Sequence, residues 1–137
     1  MKFNTQVCTT REQSERLLAL GLKRETADMY LTRCFVGNNG TPMIFIGTTH
    51  KPSTVIFSKE DIPAWSLHRL IAMLPKIYRD NFYLQICGSD IHCRLNGGVE
   101  YGIINFNKEN LYENIIDCIE WLIKNNYFNK QYLNESL

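Results

Sequence analysis

Apolar residues near the C-terminal end of the chain recur at steps of three and four, the spacing that lines up one face of an α-helix. They belong to a segment from about Lys108 to Asn125 and are Leu111, Tyr112, Ile115, Ile116, Ile119, Leu122 and Ile123. Asn107 is expected to cap this helix, because its side-chain oxygen can accept a backbone N–H of the first turn. Lys124 and the two asparagines after it are expected to end the helix. The pattern therefore predicts a long amphipathic helix that packs on a sheet.

The segment from Phe82 to Phe106 alternates apolar and polar residues, as antiparallel strands do. If Gly88 and Ser89 form a two-residue type II′ turn, the opposed pairs are Phe82–Leu95, Leu84–Cys93 and Ile86–Ile91. If residues 96–98 form a three-residue loop, the next pairs are Leu95–Val99, Cys93–Tyr101 and Ile91–Ile103. Both turns keep one face apolar, and a slip of one residue would expose that face to water. The pattern predicts a three-stranded meander over residues 82–106.

Three more helices are predicted from cap residues and apolar spacing. The first begins with a capping box, either Thr10 with Gln13 or Thr9 with Glu12, and ends at Gly21. A short second helix is predicted over Glu25–Leu31, and a third over Trp65–Leu74, where Pro75 follows.

Two short runs of β-branched and aromatic residues, 43–46 and 54–57, are typical of strands and predict an antiparallel hairpin over residues 43–57. Residues 34–36 are a further candidate strand. The resulting order is ααβββαβββα. Tight turns within each strand group favour antiparallel pairing, so the expected fold is α+β, with the meander 82–106 and the hairpin 43–57 packed by about four helices. The 137 residues suit a single domain covering residues 1–137.

Charge and composition narrow the possible partners. The formal net charge is +1, from 15 Lys and Arg against 14 Asp and Glu. This balance gives no basic footprint for nucleic acid or for an anionic membrane. No stretch approaches the roughly 20 apolar residues of a membrane span, and no N-terminal signal pattern is present. A cytoplasmic location is expected. The five cysteines include no Cys-x-x-Cys pair, so most are expected to be buried and reduced.

The polar face of the predicted meander is the main candidate binding site. One predicted cross-strand row holds Tyr83, Arg94 and Glu100, and the next holds Gln85, His92 and Gly102. The candidate binding residues are therefore Tyr83, Gln85, His92, Arg94 and Glu100, which combine aromatic area with hydrogen-bonding groups. A surface ion pair between Arg94 and Glu100 is the simpler explanation for those two residues.

Cysteine and histidine chemistry has less support in the pattern. Cys93 and His92 are neighbours on one strand and point to opposite faces, so Cys87, His92 and Cys93 do not make a zinc site. Cys87 shares the face of His92 and lies diagonally from it, which leaves a thiol-dependent enzyme as an alternative without an evident orienting acid. No metal, cofactor or catalytic residue is assigned.

The two N-terminal helices have about the lengths of a helix-turn-helix. The nominal reading helix exposes Arg24, Glu25, Thr26 and Asp28, and two acids among four residues would repel phosphates. Nucleic-acid binding through this helical hairpin is therefore an alternative function, with basic residues of the hairpin as phosphate contacts.

Three stretches, Thr10–Met29, Ile62–Leu67 and Ile119–Tyr127, resemble a family of uncharacterised small proteins from gut-bacterial genomes and their prophages and other mobile elements. The resemblance implies a bacterial cytoplasmic setting and an accessory role in a mobile element, and it transfers no activity. The leading interpretation is a non-enzymatic interaction module that binds a protein partner or a second copy of itself, with no membrane partner.

Overall fold

A computed structural model describes residues 6–36, 41–48, 61–75, 77–78, 82–95 and 103–135. Its described part is an α+β structure of three α-helices and seven strands. The helices are α1 (Arg11–Ala19), α2 (Leu67–Met73) and α3 (Leu111–Lys124), with short 3-10 helices at Arg24–Thr26 and Lys130–Tyr132. The strands are β1 (Met29–Val36), β2 (Thr41–Thr48), β3 (Ile62–Ala64), β4 (Ile77–Tyr78), β5 (Phe82–Cys87), β6 (Asp90–Leu95) and β7 (Ile103–Phe106). Within these ranges, none of the helices has the length and apolar character needed to span a membrane.

The strands form two antiparallel sheets, one with the order β2-β1-β3 and the other with the order β4-β5-β6-β7. Backbone packing divides the chain into two compact units. The first unit is Met1–Arg69 with Asn134–Leu137, and the second unit is Leu70–Leu133. A single domain over residues 1–137 stays a prediction.

Helix α1 in the first unit begins and ends as the sequence predicts. Thr10 and Gln13 form the capping box, in which Thr10 Oγ1 accepts from Gln13 N at 3.2 Å and Gln13 Oε1 accepts from Thr10 N at 3.0 Å. At the other end Gly21 has φ 103°, and its N–H donates to Leu18 O. Leu22 N donates to Leu17 O, which completes a Schellman motif.

The second predicted helix, Glu25–Leu31, is wrong. Only one 3-10 turn forms at Arg24–Thr26, and Met29 begins strand β1. The tertiary context explains the difference: β1 pairs with β2 along one edge and with β3 along the other, and Tyr, Thr, Phe and Val within it suit a strand. The predicted helical hairpin is therefore not formed, and the order of the described elements is αβββαββββα.

The predicted hairpin over residues 43–57 is tested only in its first half. Strand β2 covers residues 43–46, but its partner is β1, with Leu31 opposite Ile46 and Cys34 opposite Met43. Residues 54–57 lie outside the described residues. Strand β3 was not predicted, and it forms because Ile62–Ala64 pairs with the start of β1. Cys8, Leu31 and Ala64 form a buried apolar cluster beside it.

The meander in the second unit is half correct. The pairing of β5 with β6 is confirmed at each predicted pair, Phe82–Leu95, Leu84–Cys93 and Ile86–Ile91. Gly88 has φ 62°, which suits the first central position of a type II′ turn. The pairing of β6 with β7 is wrong by three residues, since Ile91 lies opposite Phe106 and Arg94 opposite Ile103. Seven residues, 96–102, separate these strands instead of three.

Helix α3 packs against β6 and β7, as expected of the amphipathic C-terminal helix. Five apolar residues along it, Ile115, Ile116, Cys118, Ile119 and Leu122, are 0% exposed. The predicted end is confirmed: Asn126 has φ 60°, its N–H donates to Ile123 O, and Tyr127 N donates to Leu122 O. The predicted start is wrong, because the cap is Asn110, whose side chain accepts from Glu113 N at 3.2 Å.

The cap moves because the chain before α3 is held by another residue. Asn114, fully buried, accepts from Lys108 N at 2.7 Å and donates to Lys108 O at 2.8 Å. The same side chain donates to Ser89 O at 2.6 Å, in the turn between β5 and β6. Asn114 therefore joins the start of the helix to the hairpin turn, and residues 107–110 stay outside the helix.

Candidate interaction site

The candidate site is one face of the four-stranded sheet in the second unit. Gln85 on β5 and His92 on β6 are directly opposed, and His92 is opposed on its other side by Asn105 on β7. Cys87 and Asp90 form the neighbouring pair beside the turn. Because side chains two apart on a strand share a face, these five residues belong together, and they are called the polar face below.

The polar face is open to solvent at its described positions. Gln85, Cys87 and Asn105 are exposed, while Asp90 and His92 are half-buried. On the opposite face Ile91 is fully buried, on the side where α3 packs, although Ile86 at the end of β5 is 37% exposed. The sheet thus has one polar accessible face and one face that is covered at β6.

The imidazole of His92 is held by its neighbour on β7. Its Nδ1 lies 2.5 Å from Asn105 Oδ1. A carboxamide can take part in a hydrogen bond with either imidazole nitrogen, and here the partner is Nδ1. The contact therefore orients the ring of His92.

Two of the five sequence-predicted site residues, Gln85 and His92, are opposed in one described row. Tyr83 pairs with Arg94 in the backbone register, as predicted, and their side chains are not described. Glu100 lies outside the described residues, and Arg94 has Ile103 as its β7 partner where Glu100 was predicted. The expected pairing of Arg94 with Glu100 is therefore wrong in the backbone register.

Asn105 is the site residue that sequence analysis missed. The expected partner of His92 was Gly102, and the three-residue displacement of β7 places Asn105 there instead. Ile103 and Ile104 are adjacent, so the apolar alternation of this strand is satisfied in either phase. The sequence did contain one clue to the correct register. The run Ile103–Phe106 is the strongest strand pattern after β6, and a strand placed there requires a connection longer than three residues.

A polar cluster of Asp28, Ser66 and Arg69 in the first unit has a structural role. Asp28 accepts from Ser66 N at 2.9 Å and from Ser66 Oγ at 2.5 Å, and Ser66 Oγ accepts from Arg69 N at 3.1 Å. Ser66 therefore caps α2 while Asp28 orients the cap. Burial, with the Asp28 carboxylate as a second cause, raises the pKa of the Cys8 thiol, which favours its neutral form.

No group of three or more His, Cys, Asp or Glu side chains within the described ranges is arranged to hold a metal ion. Comparisons of the chain with protein-family models, with curated proteins and with solved structures found no match. The resemblance to small proteins of gut bacteria and their mobile elements therefore stays an expectation.

Proposed function

We propose that this chain is a non-enzymatic interaction module whose polar face binds a protein partner or a second copy of the chain. The observation that carries the proposal is the row Gln85–His92–Asn105, in which two exposed carboxamides flank an oriented imidazole. Carboxamides both donate and accept hydrogen bonds, so this row offers several directed hydrogen-bonding contacts to a partner.

Rigidity supports the use of this face for recognition. The three side chains stand on paired strands, and His92 is already held by Asn105. A side chain that is ordered before binding loses less conformational entropy when a partner arrives. The exposed part of α1 differs, since Arg11 and Glu15 form an ion pair there at 3.2 Å with both side chains more than half exposed. Such pairs are typical of a solvated surface.

The proposed setting is the bacterial cytoplasm, where the protein acts as an accessory protein of a prophage or other mobile element. This part follows from the family resemblance alone. Nucleic-acid binding through an N-terminal helical hairpin is less favoured, because the second helix of that hairpin does not form and Met29–Val36 is strand β1. With a net charge of +1, no shift of duplex DNA at low salt is expected.

The test is quantitative affinity capture from the native cell with three forms of the tagged chain. Gln85→Arg introduces a long cation into the row, and Gln131→Arg makes the same change at an exposed residue of the 3-10 helix Lys130–Tyr132, which is not part of the sheet. A true partner should be retained by the natural chain and by Gln131→Arg and be lost with Gln85→Arg. Sedimentation velocity of the same three proteins tests self-association in the same way.

Both variants should keep the thermal midpoint of the natural chain within about 2 °C, because exposed substitutions seldom change stability much. A partner, or a dimer, that survives Gln85→Arg unchanged would contradict the proposal. So would the absence of any specific partner and of any self-association at micromolar concentration.

A further inference from the structure

Two registers of strand β7 are compatible with the apolar pattern of the second unit. In the observed register Ile91 lies opposite Phe106, so Phe106 shares the face of Ile91 and Asn105 shares the face of His92. In the register that alternation alone favours, Ile91 would lie opposite Ile103. A displacement by three residues exchanges the two faces of the strand, so Asn105 would leave the polar face. Apolar burial therefore does not by itself select the observed register.

One buried side chain contacts the chain on both sides of this strand pair. Asn114 on α3 is 0% exposed. Its Oδ1 accepts from Lys108 N at 2.7 Å, and its Nδ2 donates to Lys108 O at 2.8 Å. The same Nδ2 donates to Ser89 O at 2.6 Å. A carboxamide nitrogen has two hydrogens, so both donors of Asn114 are used.

The two partners of Asn114 lie at the same end of the β6–β7 pair. Ser89 directly precedes β6, and Lys108 follows β7 after one intervening residue. The observed register brings the start of β6 beside the end of β7. Displacement of β7 by three residues would move Lys108 by roughly 10 Å, since a strand rises about 3.3 Å per residue. Asn114 could then not bind Ser89 and Lys108 at once.

From this arrangement we infer that Asn114 selects the register of β7 and is thereby the positioning residue of the polar face. Its three hydrogen bonds form together in the observed register. In the displaced register they are lost together, and a fully buried carboxamide keeps the cost of its desolvation. A buried polar side chain that requires particular partners specifies one arrangement among several of similar apolar burial. Because the observed register places Asn105 beside His92, the row of the polar face depends on Asn114.

The consequence for binding rests on the proposed function of the polar face. In the displaced register Gly102 takes the place of Asn105 opposite His92, and a glycine offers no side chain to a partner. Loss of Asn114 should therefore abolish partner binding by removing Asn105 from the surface. Asn114 itself is fully buried and does not contact the partner.

The first experiment reads the register directly, from nuclear Overhauser effects between backbone protons of opposed residues. The natural chain should show the contact of His92 with Asn105. In Asn114→Leu and in Asn114→Ala, which removes atoms and adds none, this contact should be replaced by a contact of His92 with Gly102. Each hydrogen bond changes an equilibrium by about two- to tenfold, so the loss of three should shift the ratio of the two registers by on the order of a hundredfold.

Two variants of the same helix separate register from stability. Ile119→Ala removes buried apolar atoms, and Asp117→Asn removes the ion pair of Asp117 Oδ2 with Lys108 Nζ at 2.8 Å. Both variants keep Asn114 and should retain the contact of His92 with Asn105, even where the urea midpoint falls. Retention of that contact in both Asn114 variants, or its equal loss in Ile119→Ala, would overturn the inference.

A second experiment repeats the affinity capture and the sedimentation run with Asn114→Ala. Loss of a partner that Ile119→Ala retains is the expected result. If the register changes and the partner still binds, Asn114 selects the register but the row is not the binding surface. If the register is unchanged and Gln85→Arg still abolishes capture, the row binds the partner but Asn114 does not position it.

Discussion

The two units have interiors of different kinds. In the first unit, buried polar groups connect segments that are far apart in sequence: Trp65 N donates to Thr9 Oγ1, and Trp65 Nε1 donates to Thr26 Oγ1, both at 3.0 Å. Among the residues of the second unit whose burial is described, the interior is mainly the apolar stripe of α3, and Asn114 is fully buried within it.

Because of this difference, the stability of the two units should depend on side chains in two different ways. An apolar interior loses stability in proportion to the volume removed, and similar residues can replace one another. A buried hydrogen bond requires a particular partner, because a donor left alone keeps the full cost of its desolvation. The first unit should therefore be sensitive to single polar atoms, and the second to single methyl groups.

The largest expected effect is a cavity in the second unit. Ile119 is 0% exposed, so Ile119→Ala should lower the free energy of unfolding by about 2–5 kcal/mol, measured by urea denaturation. Ile86→Ala makes the same change at a residue that is 37% exposed, and should cost less than about 1 kcal/mol. Equal losses would mean that the stripe of α3 is not the core of the unit.

A smaller effect is expected from one oxygen atom in the first unit. Thr26→Val keeps the shape of the side chain and removes the hydroxyl that accepts from Trp65 Nε1 and donates to Lys23 O at 2.6 Å. The unfolding free energy should fall by about 1–3 kcal/mol. Thr26→Ser, which keeps the hydroxyl, should recover most of this loss. If valine were tolerated as well as serine, the contrast between the two interiors would not hold.

Helices α1 and α3 both end in a Schellman motif, in which Gly21 and Asn126 have positive φ. Substitution of these two residues should change the stability of the protein in opposite directions. Gly21→Ala should cost about 1–2 kcal/mol, since φ is 103° there and no atom lies within 4 Å of the added Cβ, so the cost is that of the backbone. Asn126→Gly should raise stability by less than about 1 kcal/mol, because glycine adopts φ 60° more readily. Thermal unfolding of each variant measures both signs, and a stabilising Gly21→Ala would exclude the motif at α1.

The last prediction is a difference near zero. The chain has two tryptophans, Trp65 in the first unit and Trp121 in the second. Fluorescence of Trp121→Phe therefore reports on the first unit, and fluorescence of Trp65→Phe on the second. If residues 1–137 are one cooperative domain, each variant should show the same urea midpoint by fluorescence as by far-UV circular dichroism. Different urea midpoints by fluorescence and by circular dichroism within one variant would mean that the two units unfold separately.

The sequence predicted best what short-range rules determine. The box at Thr10, the glycine at the end of α1, the II′ turn at Gly88 and the apolar stripe of α3 each depend on residues within one or two turns of the chain. The β5–β6 register followed from that turn, because a two-residue connection fixes every pair beyond it.

Failures occurred where distant partners decide. The segment after Thr26 has helix-compatible residues, but pairing on both edges by β2 and β3 makes it a strand. In β7 the adjacent residues Ile103 and Ile104 could each face the apolar side of the sheet. The alternation of apolar and polar residues therefore could not identify the residue beside His92. The register predicted for the candidate site is therefore confirmed between β5 and β6 and wrong at β7, where Asn105 and not Gly102 lies opposite His92 and Ile103 and not Glu100 lies opposite Arg94.

One backbone contact in the first unit has a consequence for the order of synthesis. Asn134 N donates to Gly21 O at 2.7 Å, which gives the carbonyl at the end of α1 a partner from the last residues of the chain. A ribosome makes Gly21 early and Asn134 more than a hundred residues later. The unit that contains Gly21 is thus completed only when Asn134 has been made, and a nascent chain or a fragment stopping at Arg69 should hold α1 less firmly than a chain that includes Asn134.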